Sequence, residues 1–277
     1  MKSTSNQQRF NALVLAADRQ ANDPIAALGG AGCKALTPIN GVPMLHRVVN
    51  ALQSSAHIGR ITLVGPGRQL LDQDPLAGEW LRTGQINCLE PAATPSASAL
   101  RGLEQDPSRP VFLTTADHAL LRGEMIDYFL DQSQSSDCDF TVAVTRLDTV
   151  LSMFPDTRRT ATKLQGGPYC GSNMFAFMTP QSDQLASFWR AIEQERKNPR
   201  KVISGALGLV ASIKYLLGSL SLEQAMQRIS TKVGIKIGAV VMPFAEAAVD
   251  VDSLNDHRLV EKILAEREKE HVGGHIQ

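Results

Sequence analysis

Asn11–Ala17 (NALVLAA) is a short apolar run without polar alternation, and this stretch decides the fold class. Such a run is typical of a parallel strand that is buried on both faces of a sheet. Further strands of this kind are predicted downstream, at Ile61–Val64, Asn87–Glu90, Pro110–Thr115 and Asp139–Val144. Helical periods separate them, which predicts βαβ units and a three-layer α/β fold: a mainly parallel sheet with helices on both faces.

The rest of the chain is predicted to complete the same domain. Asn173–Phe177 is expected to form another strand, for which the edge of the sheet is the suggested place, and Gly238–Met242 a last one. Helical periods dominate between them, so we expect a helical insertion at about 181–235 within a single domain, 10–277. Residues 1–9 are expected to be a flexible N-terminus. A C-terminal helix, capped by Ser253 or Asn255, is predicted to run to about Glu270.

Composition excludes several classes of protein. Hydrophobic residues make up 43% of the 277 residues, which is enough for a full core. Lys+Arg 28 balances Asp+Glu 28, so the net charge of +0 argues against nucleic acid or an anionic membrane as a partner. No segment predicts stable membrane insertion or a signal peptide, and the four cysteines form no CxxC pair. We therefore expect a cytoplasmic protein with reduced cysteines.

Lys34 is the first candidate for chemistry. It ends a glycine-containing loop after the first strand, within the sequence GAGCKALTPINGVPML. Such a loop offers backbone N–H groups to a phosphate, and a lysine at its end adds a point charge for a phosphate oxygen. The alternative is a surface loop with a solvated lysine.

Asp117 is the second candidate, because it follows the apolar strand Pro110–Thr115 after one residue, Ala116. Ligands of open α/β sheets bind beyond the carboxyl ends of the strands. A carboxylate there, beside His118, suits Mg²⁺, which prefers hard oxygen ligands. The alternative is an aspartate that caps the following turn or helix.

Asp250-Val251-Asp252 is the third candidate. In an extended segment, residues i and i+2 point to the same side, so both carboxylates would face a site shared with Asp117. In a turn only one of them would, and Asp252 is then the expected one. Asp256 is better explained as a charge at the positive end of the C-terminal helix dipole.

Four motifs together resemble the nucleotidyltransferase superfamily, and within it the molybdopterin guanylyltransferase-like (NTP transferase) branch. They are LVLAADRQ (13–20), KALTPINGVPML (34–45), VFLTTADHALL (111–121) and VDSLNDHRL (251–259). The resemblance covers roughly residues 10–180 and 238–265. It implies a Rossmann-like sheet of the glycosyltransferase-A type. It also implies a catalytic role for Lys34 and Asp117, and Mg²⁺ as cofactor with Asp117 and Asp252 as its ligands.

The resemblance also implies two sets of binding residues. The nucleotide would meet the first loop and the segment EPAATPSASAL, which gives the candidates Ala16, Ala17, Asp18, Arg19, Lys34, Ser96 and Ser98. A helix cap is the alternative role for Ser98. The acceptor would meet Asn173, and the basic loop TRRTATK adds Arg158, Arg159 and Lys163 as ligands for a phosphate. Asp18 departs from the family, which has glycine there, so either Gly29, Gly30 and Gly32 bind the phosphate instead, or the nucleotide site is altered or lost.

The implied activity is transfer of an NMP group from CTP or GTP to a small phosphorylated acceptor, with release of pyrophosphate. Two alternatives stay open. A nucleotide-sugar glycosyltransferase would use an Asp-x-Asp motif after a central strand. Asp137-Cys138-Asp139 has that form but precedes its strand, and Asp250-Val251-Asp252 has it but lies in the C-terminal tail. A nucleotide- or metabolite-binding protein of the same fold could have lost turnover, which Asp18 supports. A homodimer is also left open.

Overall fold

The computed structural model describes residues 9–18, 23–30, 32–185, 188–189 and 219–273. The strands in this part of the chain are β1 Phe10–Leu15, β2 Pro38–Ile39, β3 Val42–Pro43, β4 Ile58–Val64, β5 Ile86–Leu89, β6 Val111–Thr115, β7 Phe140–Arg146, β8 Thr162–Leu164, β9 Gly167–Phe177 and β10 Ile237–Met242. The α-helices are α1 Pro24–Gly29, α2 Met44–Ser54, α3 Arg68–Gln73, α4 Pro75–Arg82, α5 Pro95–Gln105, α6 Gly123–Ser135, α7 Leu147–Met153, α8 Leu222–Val233 and α9 Leu254–Gly273. Short 3₁₀ helices span Lys34–Leu36, Pro180–Ser182 and Ala245–Ala248.

The main sheet has the strand order β10-β7-β9-β6-β1-β4-β5, and β8 pairs with β9. β1 is parallel to both of its neighbours, β4 and β6, and β10 is parallel to β7. β9 runs antiparallel to β6 and β7. The predicted α/β fold with a mainly parallel sheet is therefore confirmed, with one antiparallel strand inside it.

Helices cover both faces of this sheet. Successive residues of β1 point to opposite faces, so Val14 packs with α2 and α6 residues in one core cluster, and Leu13 packs with α5 residues in another. Gly102 of α5 lets that helix approach β1 closely, because a Cβ atom there would lie 2.9 Å from the Leu13 side chain. Both faces of β1 are therefore buried, as its unbroken apolar run indicates.

The place suggested for the strand at Asn173–Phe177 is wrong. That strand begins at Gly167 and lies inside the sheet, between β6 and β7. β10 and β5 are the strands at the two ends of the order. The reason is that a local apolar pattern reports burial, whereas the neighbours of a strand depend on pairing with distant segments.

The loop before Lys34 contains a helix, α1, that the sequence analysis did not predict. Asp23 caps this helix, because its Oδ1 accepts hydrogen bonds from the backbone N–H groups of Ile25 (2.8 Å) and Ala26 (3.4 Å). Pro24 then occupies the first turn, where a missing N–H costs nothing. The Asp-Pro pair was the available indication of this helix.

Most of the predicted helical insertion lies outside the described residues. Its last helix, α8, begins after Ser221, whose hydroxyl accepts a hydrogen bond from the backbone N–H of Gln224. Residues 190–218 and 1–8 lie outside the description, so the predicted domain limits and flexible N-terminus stay predictions. Ser253 begins the C-terminal helix α9 by accepting from the N–H of Asp256 at 3.2 Å, which supports Ser253 over Asn255 as the cap. None of the helices described is long and apolar enough to cross a membrane.

Candidate functional site

Lys34 brings two of the candidate carboxylates together at the carboxyl edge of the sheet. Its Nζ lies 2.7 Å from Asp117 Oδ2 and 2.7 Å from Asp252 Oδ1. Asp117 follows the end of β6, and Lys34 begins the first 3₁₀ helix. The Lys34 and Asp117 side chains are 13% and 15% exposed, whereas Asp252 is 54% exposed. The three residues therefore form a half-open charged centre where ligands of open α/β sheets bind.

The segment Val249–Asp252 brings its carboxylates to this centre by strand-like alternation. Val249 and Val251 are fully buried, and the N–H of Val251 donates to the Asp117 carbonyl at 3.1 Å. Asp250 and Asp252 alternate with them: the Asp117 charge helps to raise the pKa of Asp250, and Asp252 pairs with Lys34 at 2.7 Å. The extended alternative thus describes this segment better than the turn.

Asp250 is held by two side chains from a neighbouring part of the site. Arg159 donates to its Oδ1 at 3.2 Å, and Asn173 Nδ2 donates to its Oδ2 at 3.1 Å. Asn173 adopts φ 45° at a point where the β7–β9 register shifts, which is the local geometry of a bulge. The other end of the Arg159 guanidinium lies 2.8 Å from Asp256.

Electrostatics within this centre shift several pKa values. Burial alone would lower the pKa of Lys34, but the Asp117 and Asp252 carboxylates outweigh it and raise the pKa above its ordinary value. Burial raises the pKa of Asp250, and the charges of Asp117 and Asp252 raise it further. Burial lowers the pKa of His118 to about 4, so this ring is neutral and enclosed by the protein. His118 is therefore a buried neutral ring, although the Asp117 charge acts on its pKa in the opposite direction.

The first loop approaches the centre from β1. The Ala16 N–H donates to the Val64 carbonyl at 3.0 Å, and Ala17 lies against Gly65. A Cβ atom on Gly65 would lie only 2.8 Å from Cβ of Ala17, and Gly65 has φ 77°. Asp18 Oδ1 accepts a hydrogen bond of 2.8 Å from the Lys34 backbone N–H. Arg19 lies outside the described residues.

Ser96 and Ser98 are buried near the start of α5. Thr94, not Ser98, caps that helix, and its hydroxyl accepts from the Ala97 N–H. The Ser98 hydroxyl accepts from the N–H of Ala92 at 2.9 Å. The helix-cap alternative for Ser98 is thus wrong, and its predicted contact with nucleotide stays a prediction.

The predicted basic loop divides into two kinds of residue, and Lys163 lies in β8 rather than on the loop before it, because Thr162–Leu164 pairs with β9. Arg158 and Lys163 are exposed, whereas the Arg159 side chain is 7% exposed and pairs with two carboxylates. Asn173 also faces Asp250. Contact of these four residues with an acceptor stays a prediction.

The Asp-x-Asp motif at 137–139 lies away from the charged centre. The motif precedes β7. β6 and β7 both run antiparallel to β9, so they are parallel to each other, and the start of β7 lies at the edge of the sheet opposite the carboxyl end of β6. Asp137 pairs there with Lys236, and Asp139 accepts from the Thr179 hydroxyl. This geometry does not favour a metal site of the glycosyltransferase kind at that motif.

Sheet and centre together define an α/β enzyme of the nucleotide-binding, Rossmann-like type. The chain belongs to the family of the MobA-like NTP transferase domain, whose model matches residues 12–204. It is accordingly a nucleotidyltransferase, as the resemblance of its motifs implied.

The solved structures that are similar to the chain include the following three. A hypothetical transferase from Thermus thermophilus is 26% identical with a TM-score of 0.75, over 90% of this chain and 100% of its own. The 4-diphosphocytidyl-2C-methyl-D-erythritol synthase from Anaerococcus prevotii is 14% identical (TM-score 0.55, 94% and 97% covered). A CMP:2-keto-3-deoxy-manno-octonic acid synthetase complexed with CTP is 10% identical (TM-score 0.53, 95% and 100% covered). The last two share the fold. No curated protein matches the chain.

Proposed function

We propose that this enzyme transfers an NMP group from CTP or GTP to a small phosphorylated acceptor, with Mg²⁺ as cofactor and pyrophosphate as the second product. The observation that carries the proposal is the meeting of Lys34, Asp117 and Asp252 at one point of the carboxyl edge. A cation and two carboxylates in that position suit a ligand that brings both phosphate oxygens and a divalent metal ion.

The residues of the centre fit a divalent cation by their donor chemistry. One oxygen from Asp117 and one from Asp252 converge within 2.7 Å of the same positively charged nitrogen. Two carboxylate oxygens arranged around one cationic position are ligands of the type that Mg²⁺ takes, with water and phosphate oxygens as the others. Among the residues described there is no group of three or more His, Cys, Asp or Glu side chains arranged for a metal, so the nucleotide would have to supply part of the coordination.

The proposed reaction needs positioning and charge neutralisation rather than a covalent intermediate with the protein. A phosphate oxygen of the acceptor attacks the α-phosphorus, a new P–O bond forms, and the bond to the β-phosphate breaks with its electron pair leaving on pyrophosphate. Lys34 would exchange a carboxylate for a phosphate oxygen, which its flexible side chain permits, and would stabilise the leaving charge. The metal ion, when bound, neutralises the charge of the phosphate groups.

The choice between CTP and GTP has support on both sides. One of the similar structures is a synthetase complexed with CTP, and another is named for a diphosphocytidyl product. The motifs of the chain, however, resemble the guanylyltransferase-like branch. Both nucleotides therefore belong in the test.

Isothermal titration with each NTP, with and without Mg²⁺, tests the nucleotide part of the proposal. We expect CTP or GTP to bind and Mg²⁺ to strengthen that binding. A chain that binds no NTP under either condition would refute the proposed function.

Pyrophosphate release in a screen of nucleotides against phosphorylated acceptors tests turnover. Asp117→Ala is expected to lower the rate by at least about a hundredfold, because loss of a charge-stabilising group at a reacting phosphate costs several kcal/mol. Asp137→Ala is the matched control, since it removes an exposed carboxylate at the opposite edge of the sheet. Equal rates for Asp117→Ala and the control would remove Asp117 from the site.

A further inference from the structure

The side chain of Asp18 has a partner that sequence spacing does not indicate. Its Oδ1 accepts a 2.8 Å hydrogen bond from the backbone N–H of Lys34, a residue 16 positions later. That N–H belongs to the first residue of the 3₁₀ helix Lys34–Leu36, and Cys33, in the usual cap position, makes no side-chain cap hydrogen bond. Asp18, which lies three residues after the end of β1, therefore caps this helix as an N-cap side chain does, by accepting a hydrogen bond from a free N–H.

This cap holds the backbone of the residue that forms the charged centre. Lys34 Nζ lies 2.7 Å from both Asp117 and Asp252, so a shift of its backbone would move the ammonium away from one or both. The 3₁₀ helix itself is only three residues long, and it ends where the Thr37 N–H donates to the Lys34 carbonyl at 3.0 Å. Short 3₁₀ helices hold their residues weakly, so the external contact with Asp18 matters for the position of Lys34.

The charge of Asp18 does not itself favour this arrangement. Burial raises the pKa of Asp18, and the nearby Asp23 carboxylate raises it too, whereas the Lys34 N–H and the Lys34 charge act in the opposite direction. The net shift is upward, so the surroundings disfavour the charged form, and an uncharged oxygen could accept the same 2.8 Å hydrogen bond.

We propose that Asp18 is a positioning residue that caps the helix at Lys34 and thereby sets the Lys34 ammonium between Asp117 and Asp252, through its oxygen acceptor and not through its charge. The proposal rests on the proposed function in so far as Lys34 binds the triphosphate. It also explains how an aspartate can stand where the family that the motifs resemble has glycine while the nucleotide site is kept.

Two substitutions separate the acceptor from the charge. Asp18→Asn keeps an Oδ1 acceptor and removes the charge, whereas Asp18→Ala removes both. Asp23→Ala is the matched control, because it removes another helix cap of the same loop whose hydrogen bonds go to Ile25 and Ala26. Thermal unfolding verifies that each variant is folded, and Asp18→Gly replaces Asp18→Ala if the latter does not fold.

The first measurement needs no nucleotide. The acetylation rate of Lys34 by an N-hydroxysuccinimide ester, measured by peptide mass spectrometry, reports how accessible the amine is, and the Lys34 side chain is 13% exposed and held by two carboxylates. We expect Asp18→Ala to raise the rate at least about threefold, as the loss of a weak ion pair predicts, while Asp18→Asn and Asp23→Ala stay within about twofold of the wild type. An unchanged rate in Asp18→Ala, or an equal rise in Asp18→Asn, would overturn the proposal.

The second measurement separates positioning from a general loss of stability. For pyrophosphate release, Asp18→Ala should raise the KM for the NTP and lower kcat, and Asp18→Asn should recover most of both. Equal losses in Asp18→Ala and Asp23→Ala would indicate general loosening of the loop and contradict a specific role for Asp18. If the wild type binds no nucleotide, the proposed function fails, and the acetylation result still decides the role of Asp18.

Discussion

Replacing Lys34 with methionine should strengthen the binding of a divalent metal ion in the absence of nucleotide. Lys34 already fills the position between Asp117 and Asp252 that a metal ion would take, so metal and ammonium compete for the same two carboxylates. Methionine keeps a long unbranched side chain and removes the charge. The result would be unusual, since loss of a proposed catalytic residue would improve the binding of the proposed cofactor.

The size of the gain follows from the exposure of the two ion pairs. Lys34 and Asp117 are both 15% exposed or less, so their pair is only weakly screened, although the desolvation of both groups offsets much of its attraction. Asp252 is 54% exposed, and such a pair contributes about 0–1 kcal/mol. Displacing the ammonium therefore costs the metal ion about 1–2 kcal/mol of binding free energy, which corresponds to about tenfold in affinity.

Titration with Mn²⁺ measures this affinity directly when the concentration of free Mn²⁺ is determined by electron paramagnetic resonance. We expect Lys34→Met to bind Mn²⁺ about tenfold more tightly than the wild type, as the ion-pair energies require. Lys34→Arg keeps a cation in place and should show no such gain, and Lys236→Met removes a distant exposed lysine as a second control. Equal or weaker Mn²⁺ binding in Lys34→Met would refute the competition between ammonium and metal.

Two further predictions concern the stability of the site. Gly65→Ala should lower the Tm by about 5 °C and weaken nucleotide binding, because Gly65 has φ 77° and a Cβ atom would lie 2.8 Å from Ala17; an unchanged Tm in a thermal scan would contradict this. Asp250→Asn should raise the Tm at pH 7, because burial and two carboxylate neighbours raise the folded-state pKa of Asp250, so its charged form costs stability once the pH exceeds that pKa. This gain in Tm should vanish below pH 3.8, the ordinary pKa of the group, because Asp250 is then protonated in both the folded and the unfolded protein. Thermal scans that show the same gain at every pH would contradict this reasoning.

The elements of the fold could be predicted from local pattern, but their order in the sheet could not. The apolar runs at β1 and β6 identify buried strands within one or two residues of their observed bounds. β9 has the same kind of pattern, yet it lies antiparallel inside the sheet and not at its edge. Its position depends on pairing with β6 and β7, which are distant in sequence, and no local periodicity carries that information.

The centre of the site could be predicted where residue type and strand position agree. Asp117 follows a buried strand, and Asp250 and Asp252 alternate with buried valines. All three could therefore be predicted from the sequence. The link from Asp18 to Lys34 could not be predicted, because it joins a side chain to a backbone N–H across a loop that contains a helix. The departure from glycine marked the position but did not reveal the contact.

The contacts of Arg159 change how an acceptor could be held. A phosphate that approached this guanidinium would have to compete with Asp250 at 3.2 Å and Asp256 at 2.8 Å, in a place where the arginine is only 7% exposed. Arg159 therefore joins the loop before β8 to the segment that carries Asp252 and to the first turn of α9. Arg158 on the same loop and Lys163 in β8 are exposed, and the prediction of a phosphate ligand accordingly rests on them more than on Arg159. Since Arg159 holds Asp250, and Asp252 lies two residues further on, we expect Arg159→Ala to disturb the position of Asp252 as well as that of Asp250.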